Sequence, residues 1–184
     1  MKRLICMVVF AGVLSASAAV AQRGPLHNGG SIGFHNSDAP LGIRWWFNHQ
    51  RLALDAGVGF GSQEEETTPG NTESFTHWAV DAGLPILLKS WGNHVHFMLR
   101  PGVLYKSQEV LTTLGAKDTD TELDVTAELE AEYFVIENVS LSASTGIGVQ
   151  NLNPAEGAST TDWSTFGANF TQVGFHVYLW SPEK

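Results

Sequence analysis

Residues Thr121–Glu137, TELDVTAELEAEYFVIE, alternate apolar and acidic side chains over almost the whole stretch. The odd positions carry the apolar side chains Leu123, Val125, Ala127, Leu129, Ala131, Tyr133 and Val135, and the even positions carry the acids Glu122, Asp124, Glu128, Glu130 and Glu132. A period of two residues predicts an extended strand whose two faces differ in character. Such a strand suits either a soluble barrel with the acids outside or a membrane barrel with the acids in its lumen.

The N-terminal segment has the pattern of an export signal. Met1-Lys2-Arg3 is basic, Leu4–Leu14 is apolar, and the small residues that follow end at Ala19-Val20-Ala21. This order predicts a cleavable signal peptide over residues 1–21 and a mature domain over residues 22–184. The apolar run is shorter than the about 20 residues that a membrane-spanning helix needs, which disfavours the alternative of an uncleaved anchor.

Cysteine content and charge narrow the classes of function. Cys6 lies inside the signal, so the mature chain has no thiol and no disulfide. Without Lys2 and Arg3, 8 basic and 19 acidic residues remain, which gives a net charge of −11. Because nucleic acid requires a basic face, we expect no nucleic-acid partner.

The two-residue period recurs along most of the mature chain. It marks eight stretches: Gly30–His35, Leu41–Phe47, Leu52–Phe60, His77–Leu88, Val95–Tyr105, Leu123–Val135, Val139–Val149 and Val173–Leu179. No segment carries a convincing helical period, and no linker divides the chain. The pattern therefore predicts one all-β domain of eight antiparallel strands, connected up and down.

The predicted connections are short at one end of the sheet and long at the other. Short turns fall at Asn48–Arg51, Ser90–Asn93 and Glu137–Val139, and longer polar loops fall at Gln63–Glu73, Glu109–Asp120 and Asn151–Asp162. The numbering of the apolar positions supports the short turns. These positions switch between odd and even across Asn48–Arg51 and Ser90–Asn93, as a four-residue turn requires, and they stay odd across Glu137–Val139, as a three-residue turn requires. Short turns at one end and long loops at the other are typical of bacterial membrane barrels.

Glycine distinguishes the two faces of the predicted strands. The face opposite the apolar residues carries Gly57, Gly59, Gly61, Gly83, Gly102, Gly146, Gly148 and Gly174. On the outside of a soluble barrel so much glycine would weaken the strands. Inside an eight-stranded barrel, small residues make room for long charged ones. We therefore expect a membrane barrel; the alternative is a secreted periplasmic lipocalin-like barrel that encloses a small apolar ligand.

The chain resembles the small outer-membrane β-barrels of the OmpA/OmpX-like group. The resemblance covers residues 30–180 and rests on the export signal, the eight alternating strands, the unequal loops and the aromatic C-terminal stretch FHVYLW. It implies an eight-stranded antiparallel up-and-down transmembrane β-barrel in the cell outer membrane. Outer-membrane lipid is then one partner, and the barrel-assembly machinery is another, contacted through the C-terminal strand. Members of the family usually end on an aromatic residue that is recognised during assembly. The chain departs from this pattern, since Ser181-Pro182-Glu183-Lys184 follow Trp180.

The inward parity also predicts a lumenal ion-pair network. A loop centred near residue 115 makes the paired numbers of the fifth and sixth strands sum to about 230. Arg100 then lies opposite Glu130, or opposite Glu128 if the register differs by two residues, and Lys106 lies opposite Asp124 or Glu122. Acids in a confined space need counter-charges. The predicted network, centred on Arg100 with Glu128 and Glu130, comprises Arg44, Arg100, Lys106, Asp124, Glu128, Glu130 and Glu132, and plugs the barrel.

The sequence shows no sign of catalysis or of a cofactor. It contains no GxSxG, HExxH, phosphate-loop or paired-cysteine motif. His94 and His96 share a strand face and could form half of a metal site, but the hairpin register sets His77 near Lys106, far from them. We therefore expect neither a cofactor nor a metal. We expect a structural or surface-interaction role, in which the long loops contact an extracellular ligand. A membrane-embedded enzyme of lipid modification would need a polar cluster near the outer rim.

Overall fold

A computed structural model describes residues 29–34, 36–47, 51–68, 70–92, 94–165 and 171–179. The predicted signal peptide, most of the Asn48–Arg51 turn, and Trp180 with the four residues after it lie outside these ranges. Within them, no helix is long and apolar enough to cross a bilayer.

In the described part of the chain, all regular structure is β and belongs to one antiparallel sheet. Its strands are β1 (Gly30–Phe34), β2 (Leu41–Phe47), β3 (Leu52–Thr68), β4 (Asn71–Gly83), β5 (Ile86–Trp91), β6 (Val95–Leu111), β7 (Lys117–Ile136), β8 (Val139–Asn153), β9 (Thr160–Thr165) and β10 (Thr171–Tyr178).

The sheet closes on itself into a barrel. β10 pairs with β8 on one side and with β1 on the other. β4 and β5 both pair with β3 and β6, so they are two parts of one barrel strand, interrupted at Leu84 and Pro85. β9 and β10 likewise both pair with β8. With each of these two pairs counted once, the barrel has eight strands, and the predicted fold class is confirmed.

The barrel is apolar outside and charged inside. Outward-pointing Ile43, Val125 and Leu141 are each more than half exposed, whereas Arg44 and Glu130 are completely buried. A continuous exposed apolar surface of this kind suits lipid and would be a liability in water. The lipocalin-like alternative is therefore not favoured, because the interior holds charged side chains where that fold would enclose an apolar ligand.

Apolar side chains fill the lumen near the end with the short turns. Trp46, Ala53, Met98, Phe134 and Tyr178 form one buried cluster, against which Leu87 packs. Trp46 Nε1 donates a hydrogen bond of 3.2 Å to the Tyr178 hydroxyl. This aromatic layer lies in the lumen below the charged residues.

The predicted long loops are mostly strand, so that prediction was wrong. β3 continues to Thr68 before β4 begins at Asn71, and β6 and β7 are separated only by residues 112–116. The third predicted loop retains only residues 154–159 outside the strands. Hydrophobic alternation ends where the chain leaves the lipid, but backbone pairing continues beyond it, and a polar stretch gives no sign of that pairing.

Two of the predicted short turns are also shorter than expected. β5 continues through Trp91, which pairs with Val95, so residues 92–94 form the connection in place of Ser90–Asn93, and a bulge between Leu87 and Lys89 offsets the change in parity. β7 continues to Ile136, and a second bulge leaves a two-residue turn where Glu137–Val139 was predicted. A bulge inserts one unpaired residue, so it changes the parity without leaving a signal in the hydrophobic pattern.

Candidate functional site

Strand pairing places Arg44 beside Asp55 in the middle of the lumen. The two residues are directly opposite each other on β2 and β3. Arg44 Nε and Nη2 donate to the two oxygens of Asp55, each over 2.8 Å. Two parallel hydrogen bonds of this kind make the strongest arginine–carboxylate geometry.

Arg44 also reaches across the lumen to the opposite wall. Its Nη2 lies 2.9 Å from Glu130 Oε2, and its Nη1 lies 3.3 Å from Glu132 Oε2. Both acids are on β7, so one guanidinium connects β2, β3 and β7.

Arg100 is the second centre of the same cluster. Its Nε donates to Asp55 Oδ2 over 2.9 Å, its Nη1 lies 3.3 Å from Glu128 Oε1, and its Nη2 contacts Asp81. Asp55 therefore joins the two arginines into one network that contains five carboxyl groups.

Glycine provides the space for the Arg100 side chain. A Cβ added at Gly83 would lie 2.3 Å from Arg100 Cζ, and one added at Gly102 would lie 2.8 Å from Nη1. Both distances are too short for a real Cβ atom, so the guanidinium depends on glycine at these positions.

Hydroxyl groups satisfy the remaining acceptors of two carboxylates. Glu128 accepts from Thr126 Oγ1 at 3.0 Å and from Ser144 Oγ at 2.7 Å. Glu132 Oε1 accepts from Ser140 Oγ at 2.5 Å and from the Tyr178 hydroxyl at 2.8 Å. Burying a charged group is costly unless its atoms have hydrogen-bond partners of this kind. These side chains also hold the network in one arrangement.

Lys106 forms a second cluster, nearer the end of the barrel opposite the short turns, which we call the outer mouth. It contacts Glu122, lies 3.7 Å from Asp124 Oδ2 and lies 3.5 Å from Asp38 Oδ2. Asp38 belongs to the β1–β2 connection, which folds over the lumen so that Ala39 is buried with Ala79 and Leu104.

The structure divides the predicted network between these two clusters. Arg44, Arg100, Glu128, Glu130 and Glu132 lie in the central cluster, and Lys106 and Asp124 lie in the outer one. The register pairs Arg100 with Glu128 and Lys106 with Glu122.

Sequence reasoning missed four residues of these clusters. Asp55 and Asp81 have inward parity among glycines on β3 and β4, so parity was a usable signal, but they were not assigned partners. His176 Nδ1 lies 3.7 Å from Glu132 Oε1, and Asp38 lies in a connection without periodicity. Asp55 lies directly opposite Arg44 on the neighbouring strand, so the register of that hairpin could have identified this pair. The contact of Asp55 with Arg100 skips a strand of the barrel, and no single hairpin register reveals it.

The histidines lie apart from one another. His94 is exposed in a turn, His96 is buried between Trp46 and Phe134, and His77 is exposed beside Gln108 on the outer part of the sheet. Among the described residues, no group of three or more His, Cys, Asp or Glu side chains could hold a metal ion.

Comparisons with known proteins add two structural likenesses. No family model matches the chain, and no curated protein matches it. Two crystal structures of Ail, the attachment invasion locus protein of Yersinia pestis, one of them in complex with the heparin analogue sucrose octasulfate, are similar to it. Each is 11% identical and covers 82% of this chain and 99% of its own, with TM-scores of 0.45 for the complex and 0.43 for the other structure. With its closed eight-stranded barrel, apolar exterior and charged lumen, the chain has the architecture of the small outer-membrane β-barrels of the OmpA/OmpX-like group.

Proposed function

We propose that this protein is a non-catalytic outer-membrane barrel whose lumen is plugged and whose outer sheet contacts molecules outside the cell. The observation that carries the plug is the Arg44 side chain, which spans the lumen from β2 to two carboxylates of β7. A group with partners on both walls obstructs the path for solutes at its level.

Side chains occupy the lumen at three successive levels, and we propose that the arginine network is the level that blocks ion flow. The aromatic cluster around Trp46 lies at the short-turn end, the two-arginine network lies above it, and the β1–β2 connection with Lys106 covers the outer mouth. An eight-stranded barrel is narrow enough for side chains to fill it. The carboxylates are engaged in ion pairs, and this arrangement supports a structural role for them.

The outer part of the sheet supports a role in surface interaction. β7 has 20 residues, whereas a strand crosses a bilayer with about 9–11. About half of β7 therefore projects beyond the lipid, together with the ends of β3, β4, β6, β8 and β9. These projecting parts form the outer sheet.

Side-chain contacts stiffen this outer sheet. Glu156 accepts hydrogen bonds from Thr113 Oγ1 at 2.8 Å and from the Thr113 N–H at 3.0 Å. Asp120 accepts from the Ala155 N–H at 2.6 Å. These contacts join the β6–β7 turn to the β8–β9 connection, and a stiff surface loses less entropy when it binds a partner.

Assembly and lipid contact complete the proposal. β10 closes the barrel against β1, and we expect the assembly machinery to act through this strand.

Fractionation with a heat-modifiability gel tests the membrane part of the proposal. The protein should pellet with outer membranes and migrate faster unheated than boiled. Recovery in the soluble periplasm with a single mobility would contradict it.

A further inference from the structure

A cleft opens in the outer sheet where two neighbouring strands separate. The last paired residues of β4 and β6 are His77 and Gln108. Beyond them the strands diverge around a cavity of about 210 Å³, lined among others by Glu65, Phe75, His77 and Glu109. A cavity below the usual 300–1,000 Å³ of small-molecule pockets suits a single side chain better than a larger ligand.

The cleft combines carboxylates with apolar surface. Glu109 accepts a hydrogen bond of 2.8 Å from the Thr76 N–H. This bond holds the pKa of Glu109 below its usual value, so the carboxylate stays charged. Phe75 is buried at the cleft, and Val110 and Leu111 complete its apolar lining. The lining therefore matches a cation carried on an apolar stem.

The chain itself places an ammonium group at the edge of this cleft. Lys117 Nζ donates to the Ser74 carbonyl oxygen over 2.5 Å and lies 5.1 Å from the Phe75 ring centroid. It also lies 4.0 Å from Glu73 Oε2. A carbonyl, a carboxylate and an aromatic face together hold an alkylammonium group. Lys117 fills this position, so a second cation has Glu65 and Glu109 as its acceptors.

The outer sheet has a large excess of acid over base. Among the described residues beyond Lys106, it carries nine acids and the single base Lys117, a net charge of −8; the acids are Glu64, Glu65, Glu66, Glu73, Glu109, Asp118, Asp120, Glu156 and Asp162. Glu65 and Glu73 are directly opposite each other on β3 and β4. Like charges in that position destabilise a sheet, and a bound cation would relieve the repulsion.

We propose that the cleft between β4 and β6 binds a lysine or arginine side chain from a cationic peptide segment of an extracellular partner. The inference rests on the proposed function, because the outer sheet must face outward to meet such a partner. The cationic head contacts Glu65 and Glu109, and a neighbouring apolar side chain of the peptide packs on Val110 and Leu111.

The test measures peptide binding to the full mature protein in neutral detergent by fluorescence anisotropy. The probe is a labelled ten-residue peptide with three lysines, each followed by leucine, in a glycine–serine background. Glu65→Gln should weaken binding about tenfold, because a hydrogen bond to a charged group is lost. Glu64→Gln is the matched control, since it removes the same charge from the opposite face of the same strand and should change the Kd less than about twofold.

Each outcome decides the proposal. Equal weakening by Glu64→Gln and Glu65→Gln would show general charge attraction and overturn the cleft. Tighter binding of the peptide with glutamate in place of lysine would do the same. If the protein is heat-modifiable and its outer sheet is exposed on the cell surface but it binds no peptide, the proposal of a binding cleft alone is overturned. If the outer sheet is not exposed on the cell surface, the proposed function is overturned.

Discussion

Arg44 and Arg100 share one carboxylate, that of Asp55. Asp55 Oδ2 accepts from Arg44 Nη2 at 2.8 Å and from Arg100 Nε at 2.9 Å, and Oδ1 accepts from Arg44 Nε at 2.8 Å. Two cations that would otherwise repel each other in a buried space are thus held together by a single acid.

Asp55→Ala should therefore destabilise the barrel strongly. Breaking a buried pair costs roughly 3–5 kcal/mol, because Arg44 Nε and Arg100 Nε would lose the carboxylate to which they donate and would stay buried. Glu122→Ala removes an acid from the partly exposed Lys106 cluster and should cost less than about 1 kcal/mol. Urea unfolding of both variants in lipid or detergent measures the difference. Equal losses of unfolding free energy would contradict the central role of Asp55.

Gly83→Ala should disturb the network through space alone. The added methyl group would meet the Arg100 guanidinium, which cannot move freely because three carboxylates hold it. We expect a loss of roughly 1–3 kcal/mol in unfolding free energy, as for other overpacked sites. Gly42→Ala is the control, since the nearest atom to its Cβ lies 3.4 Å away. A stable Gly83→Ala barrel would indicate that Arg100 is not fixed.

Parity along the sequence predicted the barrel, its inward arginines and Glu128 as one of two candidate partners of Arg100, but it did not identify Asp55, which joins the two arginines. Arg44 and Arg100 were placed in the lumen because they alternate with apolar residues. Asp55 lies opposite Arg44 within one hairpin, but its second contact, with Arg100 on β6, skips a strand of the barrel and follows from no hairpin register. Glu64 and Glu65 were assigned to a loop because polar strand extensions lack hydrophobic alternation.

Cysteine labelling should establish which end of the barrel faces outward. Removal of the predicted signal leaves the mature chain without cysteine, so single introduced cysteines can be read cleanly. Leu114 is 92% exposed in the β6–β7 turn, and Glu137 is exposed in a turn at the opposite end. On intact cells, a membrane-impermeant maleimide should modify Leu114→Cys, and it should reach Glu137→Cys only after permeabilisation. The reverse pattern would invert the topology.

Trp46→Ala should weaken the aromatic layer without opening the lumen. Truncating a buried aromatic side chain costs about 3–5 kcal/mol, while the arginine network above it remains in place. The unfolding midpoint should fall, and the conductance in a planar bilayer should stay at the wild-type level. A large rise in conductance would show that the aromatic layer, and not the ion pairs, blocks the barrel.

The claim that ion pairs plug the lumen is tested most directly by the single-channel conductance of Arg44→Ala in a planar bilayer. Wild-type protein and Lys89→Ala, which removes an exposed cation, should show no stable small-ion conductance. Arg44→Ala removes the side chain that spans the lumen and should raise the conductance above both. An Arg44→Ala barrel that is folded, heat-modifiable and as non-conducting as the wild type would contradict the account.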